Sequence, residues 1–472
     1  MEAVLMGELY KYSVLITKLC VIPLLTILCF KQVEAQKPLK FSSTAPQNNN
    51  QFLNVTKDKT SITSTITGFE KDGIYNSKSR KIGYKLHLQN NLKSDQFGTI
   101  SMQISNNGGV VLYKEDYPFS IKKKGSFSRD YVFATDQFLP GFYVSSMTIN
   151  SANYQDVATY NFGYEPTKVY SKTQAPSDFV NFWDQAKREL SATAPNYLIT
   201  PRPDLSSKRV DAYEVEFKSI DKATIYGWLT VPKDNRLQAV LYKISDYQVE
   251  LAPELRSNIA VLCINTRGTG SSNQNYNFPY DQLGVYNIRD KNKYVLKGIY
   301  MDALRGLDLI SNFAGQLKLD TRKIVITGSG LGAAATAAIA AIDSRAKGII
   351  VENPSFIGMR DMINLGEGMT TTGFPTSMFK NYYNSQRASK ESIIKTLDYF
   401  DPIYFAPYIN CPILTGFSLH NTNVPAQCVY SFISQLRVSK KENYECKECG
   451  NSLDKRFYGL KEVWLKERFG QP

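Results

Sequence analysis

The stretch Thr327-Gly328-Ser329-Gly330-Leu331-Gly332 is where residue type and spacing most directly suggest chemistry. It follows a buried-type run, Lys323 to Thr327 (KIVIT), and leads into a Gly/Ala-rich segment at 331–342. A strand, a tight glycine turn and a small-residue helix are the setting in which a strained turn presents a nucleophile above a sheet. The pattern G-x-S-x-G holds that nucleophile at its centre. Here the centre of Gly328-Ser329-Gly330-Leu331-Gly332 is Gly330, and Ser329 stands one residue early. A serine nucleophile also needs a base. His87 and His420 are the only histidines in 472 residues, so histidine-based catalysis must run through one of them. The same count excludes a multi-histidine metal site. Neither a metal nor a cofactor is expected.

The N-terminus sets the compartment. Lys11 and Lys18 precede an apolar run from Leu19 to Phe30, and a short polar stretch ends in Val33-Glu34-Ala35. This is the pattern of a secretory signal over residues 1–35, with cleavage after Ala35. The run is shorter than the roughly 20 residues of a membrane span, so no transmembrane segment is expected after cleavage. Leu28 before Cys29 is not the small residue that a lipid-anchor signal uses. Five cysteines follow: Cys263, Cys411, Cys428, Cys446 and Cys449. Cys446-x-x-Cys449 lacks a second such pair or nearby histidines, which argues against zinc. In an oxidising compartment a local disulfide is the stronger expectation, with free thiols the alternative. The net charge of +13 is spread along the chain, its only tight run being Lys122-Lys123-Lys124. A nucleic-acid surface shows a clustered stripe, so no nucleic-acid partner is expected.

The elements that would position the glycine turn come in two styles. With 43% hydrophobic residues, 30 tyrosines and 25 phenylalanines the chain can build a real core. Residues 36–50 read as a Ser/Gln/Asn/Pro-rich linker. Residues 51–165 show short alternating runs, among them Ile82 to Leu88, Thr99 to Ile104, Val110 to Tyr113 and Phe142 to Ile149. Asn107-Gly108-Gly109 is a hairpin signal between two of them. An all-β sandwich of immunoglobulin-like size is predicted there. From residue 166 to 472 helical and strand patterns alternate. The reading is a helix over Asp178 to Leu190 capped by Ser177, then strands at 213–218, 225–231, 239–242 and 259–264. A helix follows at about 294–313, then the KIVIT strand, the 331–342 helix, and strands at 348–351 and 412–415. That alternation predicts an α/β domain whose mostly parallel sheet is covered on both faces.

Several motifs, in order, resemble one family, the acetylxylan esterases and cephalosporin-C deacetylases of the α/β-hydrolase superfamily. They are FWDQA at 182–186, IYGWLTVP at 225–232, NTRGTGSS at 265–272 and GIYMDALRGLDLI at 298–310. LDTRKIVITGSGLGAA at 319–334 and CPILTGFSLHNTNVPA at 411–426 complete the set, and PGFYVSSMTIN at 140–150 is similar to the N-terminal module of longer members. The resemblance implies a serine esterase fold that removes acetyl groups from sugars through Ser, Asp and His in chain order. It also implies that the chemistry is missing. The nucleophile position is Gly330, the acid position is Asn421 and the histidine position is Asn451. The family's His-Gly-Tyr type turn after the first parallel strand is unrecognisable in Tyr242-Lys243-Ile244-Ser245-Asp246.

The expectation is therefore a secreted, periplasmic or cell-surface pseudoenzyme. It would bind a carbohydrate in the old cleft or serve as a subunit of an envelope protein complex. The alternative is an active carbohydrate deacetylase with a relocated site using Ser329 and His420. Against it, a frame centred on Ser329 lacks flanking glycines, and one residue of shift should turn the side chain away from the site. His87, in an alternating strand, reads as structural or solvated. Arg267, Asp302 and Arg305 read as scaffold residues, and Glu352 as a carboxylate at the ligand-binding edge of the sheet, where a lone carboxylate is more often structural. Trp183, Trp228 and Trp464 read as packing residues.

Overall fold

A computed structural model describes residues 61–470, apart from 71, 80, 107–109, 153, 172, 275, 368–372, 386, 420, 422 and 448. The expected signal peptide and linker, the Asn107-Gly108-Gly109 turn and His420 lie outside the described residues. Among the described residues the first half is built on strands, with no α-helix: β1 (Ile62–Gly68), β2 (Ile74–Tyr75), β3 (Ile82–Asn90), β4 (Gln96–Asn106), β5 (Val111–Ile121), β6 (Ser126–Phe133), β7 (Gly141–Ser151) and β8 (Tyr154–Tyr164). They form a three-stranded sheet, β1-β3-β6, and a five-stranded sheet, β2-β8-β7-β4-β5. Alternate residues point inward, so Leu86 and Leu88 of one sheet share a core with Met102, Ile104, Met147 and Ile149 of the other.

The second half begins with α1 (Phe179–Ala192). Its N-cap is Asp178 rather than the expected Ser177, and no side chain caps the helix. The Asp178 carboxylate is engaged elsewhere, with the Lys291 ammonium at 2.7 Å and the Tyr399 hydroxyl, charged or hydroxyl donors stronger than a backbone N–H. Among the described residues nine strands follow: β9 (Leu198–Pro201), β10 (Val210–Lys218), β11 (Thr224–Pro232), β12 (Gln238–Ile244), β13 (Ala260–Asn265), β14 (Leu319–Ser329), β15 (Gly348–Pro354), β16 (Ile413–Ser418) and β17 (Lys441–Cys446). They make one sheet in the order β17-β16-β15-β14-β12-β13-β11-β10-β9. The pairs from β13 to β17 are parallel, whereas β9, β10 and β11 pair antiparallel. The helices after α1 are α2 (Val295–Phe313), α3 (Gly330–Ile342), α4 (Met359–Glu367), α5 (Thr376–Asn384), α6 (Lys390–Leu397), α7 (Pro402–Phe405), α8 (Ala426–Gln435) and α9 (Lys455–Phe469).

Burial on both faces explains the continuous apolar runs. Val240, Tyr242 and Ile244 of β12 enter the core formed with α2 and α3, while Ala239 and Leu241 enter the one under Trp464 and Phe469 of α9. Beneath the loop after β13 lies Arg267, buried and bound to both oxygens of the equally buried Asp302 at 2.8 Å. It also donates to the Ile220 carbonyl, to Asp221 and to the Tyr276 hydroxyl, so it braces the C-terminal edge of the sheet.

The two halves touch near the end of β17. Phe142 of β7 packs on Tyr430 of α8 with ring centroids 5.8 Å apart, and Lys447 pairs with Asp72. Cys446 and Cys449 form a disulfide, and Cys263, Cys411 and Cys428 are buried thiols.

Candidate active-site cleft

The glycine turn has kept the geometry of a nucleophile elbow. β14 ends at Ser329 and α3 begins at Gly330, whose φ of +53° is the left-handed conformation such a turn requires. The flanking glycines are required by close approach. A Cβ on Gly328 would lie 2.3 Å from the Gly332 carbonyl carbon, and one on Gly332 would lie 2.4 Å from the Ile244 oxygen. The apex itself carries no side chain. Where a nucleophile's Cβ would stand, the Asp246 Oδ1 is only 2.0 Å away.

Asp246 is the residue that sequence reasoning missed. It lies two residues past the end of β12, in the segment where the family's His-Gly-Tyr type turn is unrecognisable. Its Oδ1 accepts from the Leu331 N–H at 2.8 Å and from the Tyr247 N–H at 2.7 Å. In an elbow of this kind, the N–H after the nucleophile and an N–H of the turn after the first strands are the donors that receive an oxyanion. Here an internal carboxylate occupies both. Burial pushes the Asp246 carboxyl above its ordinary value, opposed by the two backbone donors and the Ser329 hydroxyl. The sequence carried no signal for this role, because an aspartate after a strand says nothing about where its carboxylate points.

Ser329 corrects a geometric expectation. Its side chain does not turn away from the site: it is exposed, lines the same cavity and donates to Asp246 Oδ2 at 3.4 Å. The reason is its place at the very end of β14, where the extended backbone projects into the crevice beyond the sheet. His87 is remote from it, on the small sheet, with Nδ1 2.8 Å from the Ser128 hydroxyl.

The other two positions reach the same place. Gly330, Asn421 and Asn451 all line one cavity of about 370 Å³, together with Asp246, Tyr247, Tyr280, Asn353, Phe374 and Tyr458. Asn421 follows β16, and its Oδ1 accepts from the N–H groups of Asn423 and Val424 at 2.8 and 3.1 Å, forming the turn into α8. The Asn451 carbonyl accepts from Asn353 Nδ2 at 3.2 Å, and Asn353 Oδ1 in turn accepts from the Ser418 N–H. The turn that carries Asn451 starts at the Cys446–Cys449 disulfide, and the Cys449 carbonyl accepts from the Ser418 hydroxyl at 2.5 Å. Glu352, at the end of β15, is not a lone carboxylate: it pairs with Lys461 of α9 and accepts from the Thr327 hydroxyl at 2.9 Å.

The cleft therefore joins a strand–turn–helix elbow with a glycine at its apex to one cavity lined by Asn421 and Asn451. Comparison with known proteins gives this arrangement its family. The family model for acetyl xylan esterase matches residues 159–455. Acetyl esterase Axe7A of Xylanibacter ruminicola is 22% identical over 329 residues, which is 64% of this chain and 69% of the relative. Among solved structures, an acetyl xylan esterase from Paenibacillus sp. R4 superposes with a TM-score of 0.57 at 21% identity, covering 64% of this chain and 98% of that one. Acetyl xylan esterase 1 of a Thermoanaerobacterium species gives a TM-score of 0.58 at 16% identity over 65% of this chain and 98% of its own. These two share the α/β-hydrolase fold of the second half. The chain belongs to the acetyl xylan esterase family.

Proposed function

We propose that this protein is a catalytically inactive member of its family that uses the old cleft for carbohydrate binding, or its surface as a scaffold subunit of an envelope assembly. The observation that carries the reading is the elbow apex, where Gly330 has no side-chain oxygen and the Asp246 carboxylate occupies the space a nucleophile would need. In the same reading Gly330, Asn421 and Asn451 are the vacated triad positions. Residues 51–165 form an immunoglobulin-like sandwich module ahead of the hydrolase-type domain at 166–472. Residues 1–35 are a cleaved signal, which makes the protein secreted, periplasmic or cell-surface. Among the described residues no helix is long and apolar enough to cross a membrane.

The exposed Ser329 hydroxyl in the cavity favours a second reading, an active deacetylase with Ser329 as nucleophile and His420 as base. Electrostatics weighs against it. An oxyanion formed at Ser329 would find both backbone donors engaged, and losing one such donor alone costs about 10²–10³ in rate. It would also lie near the Asp246 carboxylate, and two like charges about 4 Å apart near a protein surface repel by about 4 kcal/mol. The test is acetate release from acetylated xylan and from p-nitrophenyl acetate, run beside calorimetric binding of xylo-oligosaccharides. The expected result is hydrolysis at the rate of buffer alone with measurable sugar binding. Hydrolysis that disappears in Ser329→Ala would favour the second reading.

A further inference from the structure

The cleft has changed the sign of what it can hold. An esterase site of this frame offers hydrogen-bond donors to a developing negative charge. Here Asp246 and Glu352 are the charged side chains among the described lining residues, and no lysine or arginine joins them, in a chain of net charge +13. Glu352 is neutralised by Lys461. Asp246 has no ion pair among the described residues: its Oδ1 is held by two backbone N–H groups, and its Oδ2 meets the exposed Ser329 hydroxyl at a long 3.4 Å. Because Ser329 itself lines the cavity, Oδ2 is the oxygen on the cavity side.

Beside this carboxylate stands an aromatic wall. The Tyr247 and Phe374 ring centroids are 4.6 Å apart, Tyr280 and Phe374 4.7 Å, and Tyr247 and Tyr280 5.0 Å. Tyr458 of α9 joins the lining and is half exposed. Aromatic faces attract the C–H face of a sugar ring and also a cation, and the attraction to a cation grows as water is excluded. A carboxylate with no ion pair among the described residues, next to such a wall, fits a ligand that is both a sugar and a cation.

We infer that the cavity binds an amino sugar that has lost its N-acetyl group, with its ammonium on Asp246 Oδ2 and its ring against Tyr280 and Phe374. The inference rests on the carbohydrate-binding reading above and narrows it to a ligand class. Uronic acids and other anionic sugars are disfavoured by the same carboxylate, and an N-acetylated ring offers no charge to it.

Calorimetry with β-linked glucosamine oligomers, their fully N-acetylated counterparts and neutral xylo-oligosaccharides of equal length separates the outcomes. The wild type should bind the glucosamine oligomer about tenfold more tightly than the other two, the difference between a charge-assisted and an ordinary hydrogen bond. Asp246→Asn keeps an acceptor for both N–H groups and should abolish the preference. Should that variant fold poorly, the wild-type preference must still shrink as ionic strength rises. Equal affinity for all three sugars, or a preference that survives both Asp246→Asn and high salt, overturns the inference and leaves carbohydrate binding standing. Spermidine binding as tightly as the glucosamine oligomer also overturns it, because the sugar ring would then contribute nothing. Failure of all three sugars to bind overturns the carbohydrate reading itself.

Discussion

Gly330→Ser will leave the protein without esterase activity and will lower its stability. Restoring a serine to the centre of the elbow is the obvious repair, yet the new Cβ would lie 2.0 Å from Asp246 Oδ1, so the carboxylate must leave its two backbone donors. A non-glycine residue at φ +53° adds about 1–2 kcal/mol of backbone strain, and forced overpacking adds about 1–3 kcal/mol. The expected loss is therefore about 2–5 kcal/mol in the free energy of unfolding, read by urea denaturation. In the double variant Gly330→Ser, Asp246→Gly the overpacking part of the loss should reverse because the clash is gone, while the backbone strain at residue 330 remains. Activity should still be absent, since Asn421 and Asn451 supply neither a carboxylate nor an imidazole. A Gly330→Ser protein as stable as the wild type would mean that Asp246 does not occupy the apex.

Arg267→Met should be the most damaging single change outside the cleft. Arg267 and Asp302 are both buried, and the guanidinium makes two bonds of 2.8 Å to the carboxylate, with further bonds to Ile220, Asp221 and Tyr276. Surface ion pairs contribute about 0–1 kcal/mol, but removing one partner of a buried pair strands the other charge and costs about 3–5 kcal/mol. Methionine fills much of the volume, so the loss reports the stranded Asp302 rather than a cavity. The unfolding midpoint should fall accordingly, and Arg267→Met, Asp302→Leu together should recover part of it. A near-wild-type midpoint for Arg267→Met would remove Arg267 from the scaffold.

The central strands and the elbow were legible because their physics is local. A strand buried on both faces reads as an unbroken apolar run, as KIVIT does, and a helix that packs closely on a sheet reads as glycine and alanine. Edge elements were harder to read. The strand β17 (KENYEC) is polar and mostly exposed at the sheet margin, and β9 has four residues, so neither carries a hydrophobic pattern. The antiparallel pairing of β9, β10 and β11 was likewise hidden in runs that look like any half-buried strand. At the cleft, the glycine apex could be read from the motif alone. The occupant of that apex could not, because the contact between Asp246 and the Leu331 N–H joins segments distant in sequence, and a single aspartate after a strand has no distinctive pattern. The Ser177 expectation was off by one residue because Ser and Asp are both good caps, and the tertiary partners of Asp178 keep its side chain from capping the helix.

Covalent trapping tests the central claim most directly. A fluorophosphonate reacts with a serine only where a base and an oxyanion pocket activate it, so intact-mass spectrometry of the treated protein reads the machinery independently of any chosen substrate. With Gly330 at the apex and Asp246 in the oxyanion pocket, the mass should remain that of the untreated chain. A stoichiometric phosphonyl adduct that is present in the wild type and lost in Ser329→Ala would contradict the account.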